Sequence, residues 1–149
     1  MFSKILLPID VAEPETAKKA IDVATSMAAT YKASLRLIHV TSPIVVAAPM
    51  AVIPQSVYDA LNLAGKAELD RLAATIEGLP GAVSTTVRVG GIYPELLAEA
   101  EDWGADLIIV GAHKLSMATY LLGSTASAIV RHANCTVMVV RGDKPASLL

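Results

Sequence analysis

The feature that most constrains the fold of this sequence is its regular alternation of short apolar segments with helical patterns. Five apolar segments are typical of strands: Ser3–Ile9, Ser34–Val40, Val83–Val89, Asp106–Val110 and Thr136–Val140. Between them, apolar residues recur three or four positions apart, which is typical of amphipathic helices; these stretches run from Glu13-Pro14 to Tyr31, Gln55–Glu77, Tyr93–Trp103 and Ser124–His132. Such alternation predicts an α/β fold, with a five-stranded parallel, doubly wound sheet between two layers of helices.

The residue patterns within the strands predict their positions in that sheet. Ile5, Leu6 and Leu7 form a continuous apolar run, as expected for a strand covered on both faces. In Val83–Val89, apolar and polar residues alternate, which predicts one exposed face and a place at the sheet edge. The segment Thr41–Pro54 is a long loop interrupted by prolines, and loops of this length in compact domains are usually functional or mobile.

The length and charge of the chain limit the classes of function. Its 149 residues predict one domain, which we place at residues 1–142, with residues 143–149 as a tail. The formal net charge is −2 and no basic block occurs, so a nucleic-acid partner is not supported. No apolar run approaches the ~20 residues of a membrane helix, and the first residues show no leader pattern. With Cys135 as the single cysteine, we expect a reduced, cytoplasmic setting.

Two glycine-containing loops are the strongest candidates for a ligand site. Gly111 ends the fourth strand, and Gly123-Ser124 begins the last helix. The first N–H groups of a helix lack partners and favour anions, while glycine lets a phosphate approach the backbone closely. The alternative is an ordinary loop in which Ser124 only caps the helix.

The same segment resembles the universal stress protein family. Nucleotide-binding members of that family carry G-x-x-G, nine residues and then G-[ST]. This sequence has Gly111, then Lys114 at the second glycine position, then eight residues before Gly123-Ser124. The segments Thr119–Ser124, Val130–Ala133 and Val137–Arg141 are similar to the F/G-type branch of the family, whose variant loop implies that ATP still binds.

The resemblance implies a specific site and assembly. It implies the strand order 3-2-1-4-5, which places a cleft between the first and fourth strands. It further implies ATP, accompanied by Mg²⁺ near Asp10, and a homodimer formed through the last strand, Thr136–Val140. The implied ligand contacts are Pro8, Asp10, Val40, Val110, Gly111, Ala112, His113, Lys114, Gly123, Ser124 and Thr125.

The remaining candidate residues favour structural roles. His39 lies in an apolar strand, His132 ends a helix, and Cys135 precedes a strand, so we interpret all three as structural. No nucleophile, base and orienting group can be assembled from the sequence, and no P-loop pattern occurs. The main hypothesis is therefore an ATP-binding sensor or regulatory module. The alternatives are a nucleotide-free dimer that binds a regulatory protein partner, and a slow ATPase or self-phosphorylating enzyme.

Overall fold

The computed structural model describes residues 1–11, 17–42, 52–112 and 123–142. The elements follow one another as β1 (Lys4–Pro8), α1 (Lys18–Tyr31), β2 (Ser34–Thr41), α2 (Gln55–Ala74), β3 (Val83–Val89), α3 (Ile92–Trp103), β4 (Leu107–Gly111), α4 (Ser124–His132) and β5 (Thr136–Val140). The predicted alternation of strands and helices is therefore confirmed.

The strands form one parallel sheet in the order β3-β2-β1-β4-β5. The central strand β1 pairs with β2 on one side, where Ile5 lies opposite Leu35, and with β4 on the other, where Ile5 lies opposite Leu107. The predicted order 3-2-1-4-5 and the edge position of β3 are both confirmed. Because the chain reverses its direction of travel across the sheet after β3, a crevice opens between the carboxyl ends of β1 and β4.

Two hydrophobic cores hold the three layers together. On one face, α1 and α2 cover the side chains of Ile5, Leu7, Leu35, Leu37, Leu107 and Ile109. On the other face, α3 and α4 cover Leu6, Ile38, Val40, Ile108 and Val110. Each fully buried Leu or Ile contributes roughly 1.5–3 kcal/mol of transfer free energy, so the central strands anchor the fold. No helix in the described residues is both long and apolar enough to span a membrane.

The edge strand β3 differs from its prediction in one respect. Its alternating pattern predicted an exposed face, whereas the residues from Val83 to Arg88 are all half-buried. Val83 and Val87 pack on the core that α1 and α2 cover. On the opposite face, Ser84 accepts a hydrogen bond from Arg36, and Arg88 pairs with Glu99 of α3. Polar residues on this face therefore mark a charged contact with a helix rather than contact with solvent.

The ends of the elements agree closely with the predictions. The bounds of β3, α4 and β5 are as predicted, and Gly104 ends α3 in the left-handed conformation, with φ of 78°. Helix α2 ends at Ala74 instead of Glu77. The predicted helix start at Glu13-Pro14, most of the loop predicted at 41–54, and the tail predicted at 143–149 lie outside the described residues.

Candidate functional site

A cavity of about 940 Å³ opens where the carboxyl ends of β1, β2 and β4 meet the first turns of α3 and α4. Its lining is mainly apolar, with a few polar groups from the strand ends. The lining residues are Pro8, Ile9, Asp10, Ala17, Ala20, Ile38, His39, Val40, Thr41, Ser42, Ile92, Leu96, Val110, Gly111, Ala112, Gly123, Ser124, Thr125, Ala126 and Ile129. Concave, mainly apolar cavities of up to about 1,000 Å³ are typical small-molecule sites.

Strand β1 contributes the middle of the cavity. Pro8 is its last residue, and the chain continues beside β2 as the Ile9 N–H donates to the Ile38 carbonyl oxygen over 2.8 Å. Asp10 follows with an exposed side chain at the cavity surface. Asp10 is the only carboxylate among the described lining residues, and none of those residues is lysine or arginine.

The start of α4 supplies backbone donors to one end of the cavity. Gly123 is the N-cap residue, with φ of −57° and ψ of 158°, and the Ser127 N–H donates to its carbonyl oxygen over 2.9 Å. Because the N-cap residue has no side chain, the N–H groups at the first positions of α4 are not capped by it. The alternative prediction that Ser124 caps this helix is wrong, since Ser124 is its first helical residue.

The end of β4 lies beside that helix start. Val110, Gly111 and Ala112 line the cavity, and the Ala112 N–H donates to the Val140 carbonyl oxygen over 2.8 Å, which extends the β4–β5 pairing by one residue. The two predicted glycine loops are thus brought to the same cavity at Gly111 and Gly123. The predicted contacts His113 and Lys114 lie outside the described residues.

The end of β2 contributes a polar pair that the sequence interpretation did not assign to the site. The predicted ligand contact Val40 lines the cavity, and so do its neighbours His39 and Thr41. Nδ1 of His39 lies 3.2 Å from the carbonyl oxygen of Ile9. The sequence did contain a signal for Thr41, since it is a hydroxyl residue that directly follows Val40 at the carboxyl end of a strand, where the crevice lies.

The other candidate residues lie away from the cavity lining. The ring of His132 stacks on Tyr93, with centroids 6.1 Å apart. Cys135 is half-buried against the core beneath α3 and α4, and burial, followed by the charge of Asp106, raises the pKa of its thiol. Neither residue belongs to a metal-binding group, and in the described parts of the chain no cluster of three or more metal-ligating side chains occurs.

Comparison with known proteins gives a consistent family assignment. Residues 1–141 match the family described as "Universal stress protein family". Universal stress protein G of Shigella flexneri is 32% identical over 143 residues, which cover 95% of this chain and 100% of that protein. Among solved structures, universal stress protein UspA from Lactobacillus plantarum superimposes with a TM-score of 0.77 at 24% identity, over 93% of this chain and 97% of the other.

Two further solved structures with this fold contain adenine nucleotides. A family protein from Arabidopsis thaliana with AMP bound has a TM-score of 0.62 at 16% identity, covering 98% of this chain and 94% of that one. The universal stress protein from Archaeoglobus fulgidus in complex with dAMP has a TM-score of 0.64 at 15% identity, with coverages of 92% and 96%. Sequence, strand order and structural similarity agree that this chain belongs to the universal stress protein family.

Proposed function

We propose that this protein binds an adenine nucleotide in the cavity and acts as a sensor or regulatory module in a stress response. The observation that carries the proposal is the start of α4, which opens into a cavity of about 940 Å³ with a glycine as its N-cap residue. Helix N-termini of this kind bind phosphate through backbone N–H groups and the helix dipole. The AMP and dAMP complexes of related proteins support the same ligand class.

The order of the strands suggests how the nucleotide would lie. Neighbouring strands are about 4.8 Å apart, so the ends of β2 and β4, on either side of β1, are about 10 Å apart. With phosphate at Gly111–Ala112 and Gly123–Thr125, the ribose would lie near Asp10. The base would then reach the end of β2, between Val40 and Pro8.

ATP with Mg²⁺ is the form of ligand that we propose. Mg²⁺ is usually held by one or two carboxylates together with phosphate oxygens, and the exposed Asp10 carboxylate suits that role. His113 and Lys114 would serve the outer phosphates. We assign binding rather than rapid hydrolysis, because the described cavity lining offers no arginine to stabilise charge in a phosphoryl-transfer reaction.

The first prediction tests the backbone donors of α4. Proline is favoured at the first position of a helix, and the extended conformation of Gly123 suits a residue that precedes proline. Ser124→Pro should therefore keep the fold while removing one N–H and one hydroxyl from the phosphate site. Hydrogen bonds to charged groups contribute about 1.5–3 kcal/mol, so the affinity for ATP should fall at least tenfold in calorimetric titration.

A matched control exists at the start of α2. Gln55 is the first residue of that helix, follows an N-cap residue of similar conformation, Pro54, with φ of −59° and ψ of 144°, and does not line the cavity. Gln55→Pro should leave the affinity for ATP unchanged. Equal affinities for the wild-type protein and Ser124→Pro would contradict phosphate binding at α4.

A second candidate function, binding of a regulatory protein partner, is favoured by an exposed apolar surface at α2. Val57 and Leu61, one turn apart on the same face of α2, are 39% and 42% exposed, respectively. Exposed apolar patches often mark protein contacts. Absence of any binding heat at millimolar ATP would favour this candidate over the nucleotide module.

A further inference from the structure

The chain leaves β1 through Ile9, and β2 holds both backbone groups of that residue. The Ile9 N–H donates to the Ile38 carbonyl oxygen over 2.8 Å, and Nδ1 of His39 lies 3.2 Å from the Ile9 carbonyl oxygen. That oxygen can only accept a hydrogen bond, so Nδ1 carries the proton at this contact. Because a peptide unit is planar, a hydrogen bond to the Ile9 carbonyl fixes the orientation of the whole peptide that leads into Asp10.

The ring of His39 is itself held in place by α2. Gly65 is buried in the middle of that helix, and a Cβ atom there would lie 3.1 Å from Cδ2 of the ring. Glycine inside a helix is unfavourable relative to alanine, and at such a position it usually has a packing reason. Here the reason is the ring, whose Cδ2 edge lies against Gly65 while its Nδ1 faces Ile9.

These contacts connect α2 to the cavity through a side chain that need not touch the ligand. Resting on the proposed function, in which Asp10 contacts the ribose or the Mg²⁺ of the nucleotide, we propose that His39 is a positioning residue for Asp10. The ring, packed between Gly65 and the Ile9 carbonyl, orients the peptide that carries Asp10. Since His39 also lines the cavity, its action through Asp10 must be separated from direct contact with the nucleotide.

Two amide side chains test the position of the hydrogen-bond donor. The N–H₂ group of asparagine can take the place of Nδ1, whereas that of glutamine lies one bond further out, near the place of Nε2. His39→Asn should therefore keep the hydrogen bond to the Ile9 carbonyl and retain most of the affinity for ATP. His39→Gln and His39→Leu should lose this hydrogen bond and bind ATP about five- to tenfold more weakly.

A double-mutant cycle, measured by calorimetric titration of ATP with Mg²⁺, separates positioning from direct contact. Asp10→Asn alone should lower the affinity at least tenfold, because hydrogen bonds to charged groups are the stronger ones. If His39 acts through Asp10, adding His39→Leu to Asp10→Asn should lower the affinity no further. Ser124→Pro, at the other end of the cavity, is the matched control: in that background His39→Leu should still cost five- to tenfold, because the two sites are independent.

The outcomes separate this inference from the proposed function. A further five- to tenfold loss when His39→Leu is added to Asp10→Asn overturns the positioning role, because His39 would then act independently of Asp10. Equal affinities of His39→Asn and His39→Gln also overturn it, and this comparison remains decisive if His39→Leu does not fold. Unchanged affinity in Asp10→Asn overturns it while nucleotide binding stands. A wild-type protein that does not bind ATP overturns the proposed function together with this inference.

Discussion

Glu99 of α3 is a charged residue whose carboxylate is enclosed by the fold, with only 6% of the residue exposed. Its two oxygens accept hydrogen bonds over 2.7 Å from Arg36 of β2 and Arg88 of β3. The hydrogen bonds that Arg88 donates to Asp102 first, and then to Glu99, hold the pKa of its guanidinium well above its usual range. Glu99 thus links α3 to two strands through charged groups rather than through apolar packing.

This arrangement predicts a large effect for a small change. Glu99→Gln leaves one amide oxygen for two guanidinium groups, so one arginine loses its acceptor and meets an N–H₂ group instead. Breaking a buried pair costs about 3–5 kcal/mol, and since the arginines are only partly buried we expect a loss of about 2 kcal/mol in the free energy of unfolding. Urea denaturation checks this value. Glu101→Gln, at an exposed position of the same helix, should change it by less than about 0.5 kcal/mol.

Single residues were the hardest part of the site to predict. The place of Val40 at the site was implied by the family resemblance, but the burial of the adjacent Thr41 hydroxyl depends on how β2 and its neighbours pack. The polar residues of β3 were interpreted as solvent-facing for the same reason, because sequence alone does not show that Glu99 reaches Arg88 from α3. Hydrogen-bond partners distant in sequence are fixed by tertiary packing, which periodicity does not encode.

At the scale of the elements, the turn that leads into β3 is tightly constrained by the backbone beside it. Gly81, in the turn before β3, lies against the backbone where the chain enters β2. A Cβ atom at Gly81 would lie 2.6 Å from the carbonyl carbon of Ala33 and closer still to its oxygen. Nearby, the Leu35 N–H donates to the Ala82 carbonyl oxygen over 2.9 Å, so neither backbone can retreat without disturbing the β2–β3 pairing.

We therefore expect Gly81→Ala to destabilise the protein by about 3 kcal/mol, at the upper end of the range for overpacking, because the clash is with backbone. Gly142→Ala is the control, since a Cβ there meets no atom within 4 Å. Thermal unfolding followed by circular dichroism compares the two. Equal melting temperatures for Gly81→Ala and Gly142→Ala would show that the turn before β3 can move away from the Ala33 backbone without cost, which would contradict this prediction.

The bounds of the helices and strands could be predicted closely from the sequence because local signals and the tertiary fold agree. Gly123-Ser124 and Thr136 marked the bounds of α4 and β5, and Gly104 marked the end of α3. The end of α2 was placed three residues late, since Thr75, Ile76 and Glu77 continue its helical pattern. Strand order came from the family resemblance rather than from periodicity, which cannot distinguish one arrangement of parallel strands from another.

At the scale of the whole molecule, the outer edge of β5 is a surface suited to pairing with a strand of another chain. Residues 137 to 140 are apolar and half-buried, and within the described parts of the chain β5 pairs only with β4, on one side. An apolar strand edge with unpaired backbone groups is a template for another strand. The two-fold dimer through β5 that the family resemblance implies would pair that edge and leave the cavity at the strand ends open.

The register of β5 identifies a variant that separates dimerisation from folding. The Val140 carbonyl oxygen faces β4, where it accepts from Ala112 over 2.8 Å. Because backbone groups of successive strand residues point to opposite sides, the N–H of Val139 points to the free edge. Val139→Pro should therefore leave the β4–β5 ladder intact while blocking strand pairing across the edge. Sedimentation should show the molar mass halved, with an unchanged circular dichroism spectrum.

Nucleotide binding by Val139→Pro tests whether the nucleotide site is built within one chain or needs the dimer. The described cavity lining is formed by the ends of β1, β2 and β4 together with α1, α3 and α4, and none of its residues belongs to β5. A monomeric Val139→Pro protein should therefore bind ATP with wild-type affinity. Loss of ATP binding together with the dimer would contradict a site built within one chain. A wild-type protein that sediments as a monomer would instead contradict the dimer.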